Sequence, residues 1–464
     1  MLQKFIFPSL TALALMALTY FIGYQIDRSE FTFLIFHYFL FFALYIFICW
    51  SVKNESTIYF FVGLSILLRG MLIFAFPNLS DDIYRFIWDG HLLVNGINPF
   101  DHLPTYYIEN NVPIVGISEE LYNQLNSPNY FTIYPPVNQL IFALAAYLSP
   151  SSWWGSSLVI KSCLFLFEVG SIGLIIQLLR HFQKPLQNVL LYSLNPLIIF
   201  EVIGNVHFEG GMIFFFLLGI WLLVVKKKLV LSGIAIALSI ASKLLPLIFL
   251  PFFIARLANG SKSLPSTKYP FFQLIDWKRN ILFFGTIGAT LLLLFLPLFS
   301  GTFLSNFGSS LNLYFQKFEF NASIYYLLRW IGFQLKGFNI IQIVGPILSL
   351  LVLVIIITKV LREQASSWNN LFEQCLFAIC TYLFLAMTVH PWYVALPIIC
   401  CLFTRFRFPI LWSGLIFLTY INYSYAVYQE NMWMVAIEYI LVGIFVIYEV
   451  FKYRGQESVV RGQR

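Results

Sequence analysis

Apolar runs of about 20 residues follow one another through most of this chain, parted by short polar breaks, and that alternation confines the fold to a membrane. A spanning helix needs this length because the hydrocarbon core is about 30 Å thick and each helical residue rises about 1.5 Å. The runs fall near 5–25, 31–51, 57–76, 157–179, 186–203, 207–225, 280–300, 340–360, 371–389, 391–404, 408–424 and 432–451. Two stretches are open. Residues 134–149 are few and begin on Pro135-Pro136, and 229–256 is either one kinked helix or two short ones meeting at Ser242-Lys243-Leu244-Leu245-Pro246. The expected fold is an all-α, polytopic integral membrane protein of 11 to 14 transmembrane helices, with a large acidic outer loop bearing short interfacial helices.

Composition agrees. Of 464 residues 59% are hydrophobic and 11% charged, too few charges to clothe a water-exposed core, which excludes a nucleic-acid binder, a secreted disulfide scaffold and a disordered regulator. The six cysteines (Cys49, Cys163, Cys375, Cys380, Cys400 and Cys401) sit in or beside apolar runs without a CxxC spacing, and read as small buried hydrophobes. The first run begins like a signal peptide but ends in Tyr-Gln-Ile-Asp-Arg with no small-residue cleavage site, so it is kept as a membrane helix. The net charge of +7 comes from loops: Arg180 to Lys184, Lys226-Lys227-Lys228, Arg256 to Arg279, Lys359 to Arg362, Arg405 to Arg407 and the tail from Lys452. Basic loops mark the cytoplasmic side, which turns the remaining loops outward.

The longest polar break, Pro77 to Ile133, holds seven acids against the single base Arg85, a formal charge of −6. Within it, Ser80-Asp81-Asp82 precedes an apolar stripe of Ile83, Phe86, Ile87 and Trp88 at helical spacing, the pattern of a short amphipathic helix lying on the membrane surface. Asp81 and Asp82 fall in its first turn, just past the end of a spanning helix. Acids there serve the helix dipole. A carboxylate at that depth can also take a proton from a hydroxyl, as transfer of a sugar from a lipid phosphate to an alcohol requires. Asn95-Gly96-Ile97-Asn98-Pro99-Phe100 and Tyr130-Phe131-Thr132-Ile133-Tyr134-Pro135-Pro136 add polar and aromatic surface suited to sugar stacking.

Ionisable groups inside spans cost about 2.5–3.5 kcal/mol even on the lenient scale, so each asks for a reason. Gly204-Asn205-Val206-His207-Phe208-Glu209-Gly210-Gly211 brings an amide, an imidazole and a carboxylate together in an outer turn. Lys243 reaches the outer interface with its ammonium free for a phosphate if 229–256 is a helical pair, and is buried against a carboxylate if it is one helix. His390-Pro391-Trp392-Tyr393 places an imidazole and two rings at a third outer break, where an interfacial aromatic belt is the plain alternative. The 301–339 stretch, a second outer loop, is expected to cover the pocket. Asn54-Glu55-Ser56, Asn321-Ala322-Ser323 and Asn422-Tyr423-Ser424 match the glycosylation sequon, a pattern too common to weigh alone.

Taken in order, Asp81-Asp82-Ile83-Tyr84-Arg85 with Trp88-Asp89-Gly90, Gly96-Ile97-Asn98-Pro99-Phe100, Tyr134-Pro135-Pro136, Asn195-Pro196-Leu197, Gly204-Asn205-Val206-His207, Ser242-Lys243-Leu244-Leu245-Pro246 and His390-Pro391-Trp392-Tyr393 carry a resemblance. The chain resembles, over residues 57 to 404, the GT-C glycosyltransferases that use polyprenyl-phosphate sugars, especially their bacterial mannosyltransferase-like branch. The division it implies is 1–56 as N-terminal helices, 57–300 as a GT-C-like catalytic module with outer loop 77–133, 301–339 as the second outer loop, and 340–464 as C-terminal helices with a short basic tail.

That resemblance implies an inverting transferase moving a sugar, mannose by analogy, from a polyprenyl-phosphate carrier to an acceptor hydroxyl on a glycan or lipid. Its site would face the periplasm or exterior from a bacterial inner membrane. Asp81, three residues before Tyr84-Arg85, takes the place of the base. Asp82 is the alternative base, or orients the acceptor. Arg85 and Lys243 would hold the donor phosphate and His207 and His390 would line its pocket, with Trp88, Asp89, Tyr134, Asn205, Glu209, Trp392 and Tyr393 as further substrate-binding candidates. No cofactor is required on this scheme and no metal site is assigned, with a divalent Mg or Mn ion between Asp81 and Asp82 as the other reading. The partners are the lipid-linked donor, the glycan or lipid-linked acceptor and membrane lipids, with no nucleic acid. The rival from another class is a transporter or lipid-linked sugar flippase, which would carry inverted repeats and mid-membrane charges.

Overall fold

The computed structural model describes residues 2–258, 275–316, 318–363 and 367–462. Its helices run α1 (Leu2–Tyr20, continued by a π turn at Phe21–Gln25), α2 (Phe31–Ser51), α3 (Glu55–Ile73), α4 (Asp82–Val94), α5 (Pro104–Glu109), α6 (Glu119–Asn123), α7 (Pro136–Leu148) and α8 (Trp153–His181). The bent pair α9 (Leu186–Ser193) and α10 (Pro196–Gly204) follows, then α11 (Glu209–Val224), α12 (Leu229–Ile240), α13 (Leu245–Arg256) and α14 (Trp277–Leu298). The remainder is α15 (Phe303–Gln316), α16 (Ile324–Lys336), α17 (Ile341–Leu361), α18 (Leu371–Leu385), α19 (Pro391–Cys401), α20 (Phe408–Tyr423) and α21 (Met432–Gly462).

The chain is an all-α polytopic membrane protein. Among the described residues seven helices (α1, α2, α3, α8, α14, α17 and α21) are long and apolar enough to cross a bilayer, eight if the pair bent by 48° at Leu194-Asn195 is one span. Six further apolar helices have 10–17 residues, and several runs that read as full spans resolve into these shorter pieces. Residues 134–149 give the 13-residue α7, and 229–256 is two short helices, broken at Ala241–Leu244 where Pro246 follows. Runs 391–404 and 408–424 each contain a 3-10 segment. The middle of the basic stretch Arg256 to Arg279 and the end of the basic tail lie outside the described residues.

Burial sorts the spans into layers. In α3 and α8, 44% of the apolar window is buried inside the protein, against 17% in α14 and 22% in α21. The first two therefore sit in the helix core, and the latter present most of their Leu, Ile and Phe surface outward, as lipid contact demands. Charges on α3 and α8 inside the core are ion-paired or hydrogen-bonded. Arg69 of α3 and Glu168 of α8 meet at 3.0 Å with both side chains fully buried, and Tyr192 of α9 donates to Glu168 at 2.6 Å, fastening three helices. Lys161 of α8 donates to the carbonyls of Leu72 and Ala75 at 3.1 and 2.6 Å, which fixes the exit of α3 toward the 77–133 loop.

The amphipathic segment of that loop is a helix whose apolar stripe packs against protein. On α4, Ile83 and every residue from Arg85 to Leu92 are buried, because α7 covers one side and the 104–134 segment the other. Phe86 stacks on Phe142 of α7 at 4.4 Å, and a Cβ on Gly90 would stand 2.3 Å from the Phe142 carbonyl oxygen. Only glycine permits so close an approach. The cysteines are free thiols, four of them buried and Cys49 and Cys163 half-buried. Two of the three sequons are closed to modification in the folded chain, since Asn321 and Asn422 are buried; Asn54 spends its side chain capping α3.

Candidate active site

The N-terminus of α4 opens into a cavity of about 520 Å³, the size of a small-molecule site. Its walls come from four parts of the chain: the turn between α1 and α2, residues 79–85 with 126–134, residues 310, 318 and 320 of the second loop, and the start of α19 with the end of α20 and Tyr428. Of the residues singled out in the sequence, Asp81, Asp82, Arg85, Tyr134, His390 and Trp392 line it. Ser310, Phe318 and Phe320 bring the second loop to the same wall. Ser310 is tied there by donation to the Phe131 carbonyl at 3.0 Å.

The two carboxylates are held differently. Asp81 is the residue before the first turn of α4, and its Oδ2 receives Arg28 Nη2 at 2.5 Å, a pair in which the side chains are 36% and 27% exposed. Asp82 Oδ1 accepts from Asn126 Nδ2 at 3.0 Å and Oδ2 from the Tyr134 hydroxyl at 3.1 Å, while His207 Nδ1 stands 3.9 Å away. Behind His207 lies Glu201 of α10, 3.3 Å from Nε2. Glu201 itself accepts from Tyr420 at 2.7 Å and from Asn205 at 3.1 Å. Asn205 is thus a support for Glu201 and is itself buried. The turn between them places Val206 at φ +59°, a left-handed conformation that strains a β-branched residue, and this is what turns the imidazole toward Asp82.

Rings of Phe320, His390 and Trp392 form one wall, with His207 buried behind Trp392 and off the lining. His207 stacks on Trp392 at 3.5 Å, Trp392 on His390 at 4.5 Å and His390 on Phe320 at 4.7 Å. Burial pushes the His390 imidazole down to about 3, so the stack is uncharged at His390 near neutral pH. Tyr393 stands edge-on to His390 at 5.4 Å. A slab of flat π surface opposite two carboxylates suits a pyranose ring, whose C–H face packs on aromatics while its hydroxyls reach acceptors.

Several candidates are placed elsewhere. Trp88 and Asp89 are fully buried and do not line the cavity. Asp89 takes Arg85 Nε at 2.8 Å and Gln139 Nε2 at 3.0 Å, and Arg85 Nη1 donates to the carbonyls of Ser127 and Tyr130 at 3.2 and 2.9 Å, so this pair braces loop 126–134 onto α4. Lys243 does sit at the break of a helical pair, yet its ammonium is not free: Glu209, fully buried, holds it at 2.5 Å, and the Trp392 and Tyr393 rings lie 5.9 and 5.6 Å away. Depriving such a buried carboxylate of its cation typically costs about 3–5 kcal/mol. The Arg28–Asp81 pair is half-buried on both sides, so parting it strands no fully buried charge.

Sequence reasoning passed over Arg28, Glu201, Asn126, Tyr420 and Tyr423. Glu201 carried a usable signal, an acid within an apolar run, by the same rule that picked out Lys243. Arg28 carried none, since a lone arginine after a first span reads as an ordinary loop charge. Among the described residues no group of three or more His, Cys, Asp and Glu side chains is arranged to hold a metal ion.

Residues 71–259 match the model of the MptA_B family, described as the alpha-(1->6)-mannopyranosyltransferase N-terminal domain. The matched segment runs from the end of α3 to the end of α13 and contributes the Leu79 to Tyr134 walls of the cavity. No curated protein and no solved structure matches the chain.

Proposed function

From a membrane-embedded glycosyltransferase with this cavity as premise, we propose that the chain moves a mannosyl residue from a polyprenyl-phosphate carrier to a hydroxyl on a glycan or lipid-linked acceptor, with inversion, at the outer face of a bacterial inner membrane. The observation that carries the reading is the juxtaposition of Asp81 and Asp82 with an arginine and a stack of rings around one cavity at the end of a spanning helix. Acid, cation and flat apolar wall are the three surfaces that an acceptor hydroxyl, a phosphate and a sugar require.

In the reaction, the acceptor oxygen forms a bond to the anomeric carbon as the bond from that carbon to the phosphate oxygen breaks. The electron pair stays on the phosphate, leaving polyprenyl phosphate, and the hydroxyl proton passes to Asp81. Asp82, already accepting from Asn126 and Tyr134, keeps its place through those bonds and orients the acceptor. The His207 imidazole, backed by Glu201, holds the Asp82 side of the cavity. Attack from the face opposite the leaving group turns a β-linked donor into an α-linked product, in keeping with the linkage in the matched family's description. Were a divalent ion to take part, Asp81 and Asp82 would be the residues to hold it and it would offset charge on the leaving phosphate, which chelator treatment reads out directly.

The test is a donor comparison. Purified protein in nanodiscs, given radiolabelled mannose on polyprenyl phosphate or on a nucleoside diphosphate with a host lipid extract, should label the acceptor from the lipid donor alone. Transfer from the nucleotide donor, or movement of the intact lipid-linked sugar between leaflets without bond cleavage, would overturn the proposal, the latter in favour of a flippase.

A further inference from the structure

Among the described residues Arg28 and Arg85 are the arginines that line the cavity, and no lysine joins them. Arg85 is 4% exposed and its guanidinium is committed to Asp89 and to two loop carbonyls. Lys243 is held by the fully buried Glu209. Handing either cation to a ligand strands a buried carboxylate. Arg28 stands apart: it sits on the turn between α1 and α2, outside the matched family segment, both it and Asp81 are partly exposed to the cavity, and its guanidinium lies 4.8 Å over the Tyr423 ring at the rim. Its ion pair is half-buried at the cavity, so when it changes partner neither group is left fully buried and unpaired. A guanidinium fork also matches two phosphate oxygens as well as it matches a carboxylate.

We propose that Arg28 anchors the donor phosphate, and that its ion pair with Asp81 is exchanged for the phosphate when the donor enters, releasing Asp81 to receive the acceptor proton. This rests on the reading of the cavity as a lipid-phosphate donor site. Before the exchange the Asp81 oxygen at 2.5 Å from Arg28 has a lone pair engaged. After it, the carboxylate is free at the moment the leaving group is in place. Arrival of the donor therefore arms the base, and one arginine serves both states.

Binding of a sugar-free C55 polyprenyl phosphate to the protein in detergent isolates this step from turnover. Relative to wild type, Arg28→Gln should bind at least tenfold more weakly, Arg28→Lys should fall between, and Asp81→Asn should bind several-fold more tightly because its arginine no longer has a competitor. Polyprenol without the phosphate should bind wild type and Arg28→Gln alike. Unchanged affinity in Arg28→Gln, weaker binding in Asp81→Asn, or inorganic phosphate binding as tightly as the lipid phosphate would each overturn the inference. Failure of the donor comparison would sink the function itself whatever Arg28 does. Mannosyl transfer by wild type together with normal polyprenyl-phosphate binding by Arg28→Gln would sink the exchange alone.

Discussion

His390 is half-buried, stacked between Phe320 and Trp392, and desolvation there holds its imidazole near 3 against an ordinary value of about 6.5. The consequence for stability has a definite sign. Below about pH 6.5 the unfolded chain binds a proton that the folded chain refuses until about 3, so this residue's contribution is complete above 6.5 and is lost as the pH falls toward 3. Between pH 7 and 5 the loss is about 2 kcal/mol. Thermal unfolding in detergent should therefore show wild type losing midpoint over that interval while His390→Phe, which keeps the ring stack, loses visibly less; parallel losses in the two would contradict the burial argument. At this scale the chemistry of each side chain was legible in the sequence but its partner was not. Lys243 was expected at a helical break and is there, but Glu209, thirty-four positions earlier, neutralises it. Arg85 was expected beside the acids and is there, but Asp89 one turn on takes its guanidinium.

Among the elements, α4 decides where the carboxylates stand, since Asp82 is its first residue and Asp81 immediately precedes it. Its position depends on Gly90, whose missing Cβ lets the α7 backbone approach. In Gly90→Ala the new methyl meets the Phe142 carbonyl, an overpacking of the kind that costs about 1–3 kcal/mol. The thermal midpoint should fall and turnover should fall with it as the acids shift. Gly63→Ala or Gly70→Ala in α3, where a Cβ meets nothing within 4 Å, should leave both unchanged. Equal behaviour of the three variants would show that α4 is not set by this contact. The stripe of Ile83, Phe86, Ile87 and Trp88 correctly announced a helix, but a stripe reports only that one face is apolar. What covers the other face, here α7 and the 104–134 segment, is long-range information that local periodicity does not hold. The break at Ser242 to Pro246 was readable for the opposite reason, because proline acts locally.

For the molecule as a whole, the membrane character and helical fold follow from run length and charge scarcity, both of which the sequence carries in full. The polar breaks near 81, 130 and 390 assemble around one cavity although more than 300 residues separate the ends, and their order along the chain was the signal. Arg28 before the matched segment and Phe320, His390, Trp392 and Tyr423 after it extend that assembly on both sides. The central claim is that the Asp81 carboxylate in this cavity receives the acceptor proton. Single-turnover transfer from polyprenyl-phosphate mannose by Asp81→Asn and Asp82→Asn, measured beside wild type at saturating donor, tests it most directly. Asp81→Asn should fold normally, bind donor and lose at least a hundredfold in the rate of transfer, the scale of a positioned general base, whereas Asp82→Asn should retain a larger share. A wild-type rate in Asp81→Asn would contradict the account.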